Sequence, residues 1–245
     1  MGTSSVTAAG RSGALAGKLR GDVKFNGIYV GSKVEDDIVA IAAGIALAGA
    51  HGITGKVLWS GNENIVKALA DRASLTAIAK NANGAEVGGG SVAVEAGNHS
   101  DQVVLAGGLN GAKSVAAGAS VVVITSAKDV TAKAHNAKAW QDVSVNASND
   151  DSIAEIAISA GGAGSAAVEV GIAYQSLKSN VNAQVASQIE AVKGSFNLKS
   201  RNNVSLDNVA VALAGAGKVA VTPVFAMTAF TGETQRKPER PFVQP

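Results

Sequence analysis

Carboxylates are the residues of this 245-residue chain whose spacing comes nearest to chemistry. They fall in adjacent pairs at Asp36-Asp37 and Asp150-Asp151, with Asp101 and Asp207 at nearby places in their own segments. Stacked in one column, such groups would offer the hard oxygen donors that calcium takes. The glycine-aspartate nonapeptide rhythm of calcium-binding β-rolls is absent, so solvated turns are expected and no metal is assigned. Glycoside hydrolysis would need two carboxylates about 5–9.5 Å apart across one groove. Glu35, Asp36, Asp150, Asp151 and Glu155 are the candidates. Aromatic sugar platforms are scarce: Trp59, Trp140, Tyr29 and Tyr174, with Trp59 and Tyr174 at alternating core-pattern positions. A carbohydrate-active enzyme is therefore only an alternative, and no catalytic residue is assigned.

The remaining reactive types are read the same way. His51, His99 and His135 each sit at a different place in the chain's repeating pattern, whereas a zinc site needs converging ligands. Surface or turn positions are expected for all three. No Ser-His-Asp order, phosphate loop or dinucleotide glycine pattern occurs in a strand-to-helix context. Glycine strings such as residues 161–164 read as spacers between strands, and no cofactor is expected. Arg20-Gly21-Asp22 spells a cell-attachment tripeptide, but Asp22 opens a segment just as Asp142 opens a later one, so a structural origin is adopted.

Composition bounds the partners. With 21 basic and 19 acidic residues, net charge +2, there is no electrostatic footprint for nucleic acid or an anionic membrane. The lone basic cluster, Arg236, Lys237 and Arg240, is broken by Pro238 and Pro241 and reads as a solvated tail over 236–245. Cysteine is absent, which excludes disulfides and thiolate metal sites and fits an exported chain. No apolar run reaches the roughly 18 residues of a spanning helix. The N-terminus lacks the order of a signal peptide, and Val6 spoils a myristoylation pattern, so a fragment of something larger is expected. Hydrophobic residues make up 47% but aromatics only 4%, with 29 Gly and 4 Pro. The apolar share is thus mostly Ala and Val, which suits closely stacked strands.

The elements that must position these residues are clearest over residues 142–175. Val143 and Val145 alternate with Ser144 and Asn146; a polar turn is expected over 148–152. Ile156 and Ile158 then alternate, a glycine link (Gly161, Gly162, Gly164) follows, and Val168, Val170, Ile172 and Tyr174 recur at every second position. Period two marks strands with one buried face. Four segments open alike, at Asp22, Ser91, Asp142 and Ser195, with starts 69, 51 and 53 residues apart (91 − 22, 142 − 91, 195 − 142). An insertion around residues 74–90 explains the first interval.

The interiors correspond too. A shift of 51 puts Asn98 on Asn149, Gly111 on Gly162, and Val121 and Val123 on Ile172 and Tyr174. A shift of 53 puts Asn149 on Asn202, Gly162 and Gly164 on Gly215 and Gly217, Val168 on Val221, and Ile172 and Tyr174 on Phe225 and Met227. In the first unit, residues 38–59 match, with Val57 and Trp59 alternating. Closing segments follow at 64–70, 129–134 and 180–185, and the fourth unit breaks off near Gln235.

Such units cannot bury their Val/Ile/Ala faces alone, so they are expected to stack as a rod-like parallel β-solenoid. At about 50 residues each unit exceeds the roughly 20–30 of one coil and is expected to span two. Asn98, Asn149 and Asn202 are assigned to turns. Short helices are alternatives over 65–79 and 185–193. The rival architecture is an antiparallel sandwich or barrel with hairpins at Gly107-Gly108 and Gly161-Gly162.

The blocks at 142–175 (DVSVNASNDDSIAEIAISAGGAGSAAVEVGIAYQ) and 118–137 (GASVVVITSAKDVTAKAHNA) resemble the repeats of large bacterial filamentous adhesins. The nearest likeness is to the fusobacterial leukotoxin family, and beyond it the type V secreted exoproteins, or autotransporters. The resemblance covers roughly residues 22–232. It implies an all-β, right-handed parallel β-helix of imperfect ~50-residue repeats, exposed on the bacterial outer surface or released from it, serving virulence through adhesion or presentation of a toxic surface. The layout is then an N-terminal flank (1–21), a repeat domain (22–235) and a tail (236–245). Expected partners are a host-cell receptor or glycan and the neighbouring repeats of a parent chain, with no nucleic acid and with membrane contact only through other parts of that parent. A self-assembling fibre or phage-tail component is the remaining alternative.

Overall fold

Alternating small apolar and polar residues with almost no proline favour extended chain, and the strands that result are unusually long. The computed structural model describes residues 4–7 and 26–238 and is all-β, with no helix among them. Its strands are β1 (Ser4–Thr7), β2 (Gly27–Ala48), β3 (His51–Lys80), β4 (Glu86–Gly89), β5 (Ser91–Ala112) and β6 (Val115–Ala139). They continue with β7 (Val143–Ala163), β8 (Ala166–Val185), β9 (Ile189–Ala191), β10 (Phe196–Ala216), β11 (Val219–Val221) and β12 (Val224–Pro238). At about 3.3 Å per residue the main strands run for roughly 70 Å.

The chain alternates between two sheets. One has the order β2-β5-β7-β10; the other runs β1-β3-β6-β8-β11, with β12 also pairing β8, β9 pairing β6 and β4 pairing β3. Among the described residues all pairings are parallel except the short β3–β4 contact. Each main strand pairs with its counterpart in the next unit, and the crossover that parallel pairing requires is supplied by a pass through the other sheet. Strands of one unit face each other across the core: one buried cluster joins Val92, Val94, Val143 and Val145 of the first sheet to Val66, Val130 and Val181 of the second. A smaller cluster joins Val104, Ile153 and Ala157 to Val122, Ile124 and Leu177.

The parallel pairing excludes the antiparallel sandwich. Gly107-Gly108 and Gly161-Gly162 lie in strands, and the chain turns instead at Gly49-Ala50, Lys113-Ser114, Gly164-Ser165 and Gly217-Lys218. Each unit contributes one long pass to each sheet, so the expected two coils per unit are replaced by one circuit of two long strands. Residues 65–79 belong to β3 and residues 185–193 hold the end of β8 and all of β9, so neither candidate helix forms. The β-branched and apolar residues there gain more from the ladder than a short isolated helix could supply.

The expected registers are the observed ones from the second unit onward. Asn98 pairs Asn149 and Gly111 pairs Gly162. Asn149 pairs Asn202 and Gly162 pairs Gly215. Val121 and Val123 pair Ile172 and Tyr174, which pair Phe225 and Met227. The first interval differs: Gly27, not Asp22, is level with Ser91, an offset of 64 (91 − 27). Part of the insertion is a bulge between Ala70 and Ser74, where Arg72 takes φ 58°, and part is the turn between β3 and β4. Asp22 and the Arg20-Gly21-Asp22 tripeptide lie outside the described residues, as does Arg240; Arg236 and Lys237 belong to β12 instead of a separate tail. Pro223, which has no N–H to give, separates β11 from β12, while its carbonyl still accepts from the Gly171 N–H.

Candidate functional site

Residues 148–152 do not turn. They continue β7, and the alternation begun by Val143 and Val145 therefore carries Asn149 and Asp151 into the space between the sheets. Asn98, Asn149 and Asn202 stack there as a ladder. Asn64 donates to Asn98 (2.8 Å), Asn98 to Asn149 (2.8 Å) and Asn149 to Asn202 (2.9 Å). Asn149 also donates to Asp151 (2.7 Å) and Ser179 (3.0 Å), and Asn64 to Asp36 (2.6 Å). Asn98 and Asn149 each accept and donate in this run, with Asn64 donating into it from the opposite sheet and Asn202 accepting at its end, so burial costs little and the register is held.

Lys128 enters this layer from the opposite sheet and is buried, with Ser100 Oγ at 3.5 Å. Burial pulls its pKa down, opposed by the charges of Asp151 and Asp36. Burial raises the Asp151 pKa, opposed by hydrogen bonds from Asn149 and Asn98 and by Lys128. Two further polar groups lie nearer the four turns. Glu169 accepts from Asn110 (2.9 Å) and from Ser159, and Asn110 also accepts from Thr54. Glu155 accepts the Tyr174 N–H (2.9 Å) through Oε1, while its Oε2 has no hydrogen-bond partner. Burial pushes the Glu155 carboxyl up to about 7, opposed only by that N–H.

The outer surfaces divide into two zones at one height on both sheets. Away from the turns, rows such as Glu35, His99, Asp150 and Asn203, or Lys67, Thr131, Asn182 and Gln235, are polar. Ile65 and Leu69 are apolar exceptions in the first unit. Toward the turns the rows become apolar. Ile41, Leu105, Ile156 and Val209 form one; Ile45, Leu109, Ala160 and Leu213 another. The second sheet presents Val57, Val121, Ile172 and Phe225, bordered by Trp59, Val123, Tyr174 and Met227. Inward positions at this height, apart from Leu58 and Val122, are small or polar, including Ala42, Ala106, Ala157, Ser120 and Glu169. Large apolar side chains thus point out where the core is small, although Ile41 is 66% exposed and Val57 74%.

The structure scatters the carboxylates that the sequence singled out. Asp36 and Asp151 point inward in one column interrupted by Ser100, Asp37 and Asp101 occupy the neighbouring column, and Asp207 pairs Ala154. Glu35 and Asp150 face outward while Asp36, Asp151 and Glu155 face inward between the sheets, so the five glycosidase candidates do not face one groove. None of these residues is in a turn. His99 lies 3.4 Å from Asp101 and 3.9 Å from Asp150 on the outer face; His51 starts β3 and His135 lies in β6. Among the described residues no three His, Asp or Glu gather as a metal site would require. Trp59 and Tyr174 are outward, not core, residues, Tyr29 lies 3.4 Å from Glu95, and Trp140 sits at the far end beside Lys193. Sequence reasoning missed Lys128, Glu155 and Glu169 as buried groups; strand parity counted from Val143 or Val130 would have found them.

Comparison of the chain with family models, with curated proteins and with solved structures finds no match.

Proposed function

We propose that the chain is a structural, contact-presenting segment of a surface-exposed or secreted bacterial β-helical adhesin, acting through its faces and without chemistry of its own. The observation that supports this is the repetition in register: four successive units stack strand on strand, with columns such as Ile41, Leu105, Ile156 and Val209 apolar throughout and Asn98, Asn149 and Asn202 repeated from the second unit on. Such a stack is added to unit by unit, each new unit burying the last one's face and pairing its backbone. The long parallel strands are compatible with a right-handed β-helix, the form this reading adopts, and in it the two sheets offer a wide, shallow surface suited to a receptor or glycan.

The test is binding of the labelled full chain to host cells and immobilised glycans, against a variant with the polar outer rows reshuffled. Saturable binding lost in the variant supports presentation of a contact surface. Absence of binding together with a mass that grows with concentration would replace the reading with a self-assembling fibre. That second reading is favoured by the open β10/β12 edge, where nearly every β12 side chain is exposed.

A further inference from the structure

We propose that the end of the molecule carrying the turns Gly49-Ala50, Lys113-Ser114, Gly164-Ser165 and Gly217-Lys218 inserts into the hydrocarbon of a lipid bilayer, with the charged end left in water. This goes beyond the contact-presenting role and differs from the expectation that membrane contact belongs to other parts of a parent chain. Four observations point to lipid. First, consider the outward side chains between the Ile41 row and the turns, and between the turns and the Trp59 row. Among the described residues none of these is Lys, Arg, Asp, Glu or His, apart from His51 beside the first turn; the turns themselves carry the exposed Lys113 and Lys218, which the length of the zone places at the opposite interface. Second, that zone spans eight or nine residues per strand (41–48 and 51–59), about 26–30 Å at the rise of a strand, against about 30 Å for a hydrocarbon core. Third, the apolar zone covers both outer faces while the inward positions, apart from Leu58 and Val122 at its border, are small or polar, the alternation that membrane-spanning strands use. Fourth, Trp59, Tyr174 and Met227 border the zone, Trp and Tyr being the side chains that favour the interface.

A second copy stacked flat on either sheet fits less well. Each sheet surface runs on without a break from the apolar rows to rows such as Glu35, His99 and Asp150, so a flat partner would bury charges along with Ile41 and Ile156. A bilayer ends where the charges begin. Among the described residues β2, the apolar stretch of β3, β10 and β12 have no sheet neighbour on their outer side, and hydrocarbon penalises such backbone. Edge-to-edge pairing of inserted copies removes that penalty, so the lipid-bound form is expected to be oligomeric. The near-neutral charge balance points to zwitterionic lipid instead of an anionic surface.

The two tryptophans report on opposite ends, Trp59 at the border of the apolar zone and Trp140 at the far end. The full chain is mixed with phosphatidylcholine vesicles, floated on a density gradient, and its fluorescence read with brominated acyl chains in the lipid. We expect flotation, loss of most Trp59 emission in W140F, and unchanged Trp140 emission in W59F. Ile41→Asp combined with Ile172→Asp should abolish flotation, whereas Ser148→Asp in the polar zone should leave it intact. Failure to float with Trp59 unquenched overturns the proposal. So does quenching of Trp59 and Trp140 alike, which would mean unspecific collapse onto the vesicle. A blue-shifted Trp59 in a concentration-dependent oligomer that ignores vesicles would assign the apolar zone to a second copy. Host-cell or glycan binding is measured separately without vesicles, so the contact-presenting role can fail while insertion stands, and the reverse.

Discussion

Replacing Glu155 by Gln should make the protein more stable at alkaline pH and leave its stability unchanged in acid. The Glu155 carboxyl is buried with one partner, the Tyr174 N–H, and burial lifts its pKa from an ordinary 4.5 to about 7. The folded chain therefore holds a proton that the unfolded chain releases earlier. Between those two values the unfolded state binds fewer protons, so stability falls as pH rises and levels off above the higher one. The full shift corresponds to a loss of about 3 kcal/mol, and water entering between the sheets lowers it, so about 1–3 kcal/mol is expected. The amide introduced by Glu155→Gln would reproduce the protonated acid: an oxygen to accept from Tyr174 and a donor where Oε2 stands unpartnered. Urea unfolding of both proteins at several pH values from about 4 to 8 gives the difference curve directly. Asp151, whose pKa is also raised by burial, adds a fall of the same sign to both proteins and cancels in that difference. A gap that does not change with pH, or a variant less stable at pH 8, would refute the buried, partnerless carboxylate.

Three further substitutions test the interior. Asn149→Ala removes four hydrogen bonds from the ladder, to Asn98, Asp151, Ser179 and Asn202, and should cost about 3–5 kcal/mol in chemical denaturation. Asn203→Ala, which removes one exposed bond to Asp150, should cost no more than about 0.5 kcal/mol; equal losses would mean that the ladder does not form. Lys128→Met leaves Asp151 and Asp36 without their cation, so Lys128→Met together with Asp151→Asn should be less damaging than the two single changes summed, by more than about 0.5 kcal/mol in a double-mutant cycle. Gly89 has φ 147° and a Cβ there would run into the Ala77 carbonyl oxygen, so Gly89→Ala should lower the melting temperature markedly, whereas Gly107→Ala, with open space around it, should not.

What the sequence leaves legible is which residues share a level; what it hides is which side of the sheet they face. Asn149, Gly162 and Val168 recur at fixed offsets because parallel stacking pairs like with like, and those offsets are the pairing registers. The first offset is hidden because its extra residues are split between a bulge at Arg72 and the turn before β4, so no single insertion point restores the alignment. Facing is a matter of parity. Reading residues 148–152 as a turn resets the count, and then Ile156, Ile158, Val168 and Ile172 pass for the buried face because they are apolar. Reading them as strand does not allow a reset: Val143 faces in, so Asn149, Asp151, Glu155 and Ser159 face in, and Ile156 and Ile158 must face out. Taken locally, the polar run has the composition of a turn, because Asn and Asp are the usual turn formers. In β7 the same side chains are satisfied by their counterparts one unit away, a partner that no local window of sequence contains. The outward apolar zone is the direct consequence of that parity, and contiguous exposed apolar side chains on two opposite faces are the kind of surface that marks an interaction site.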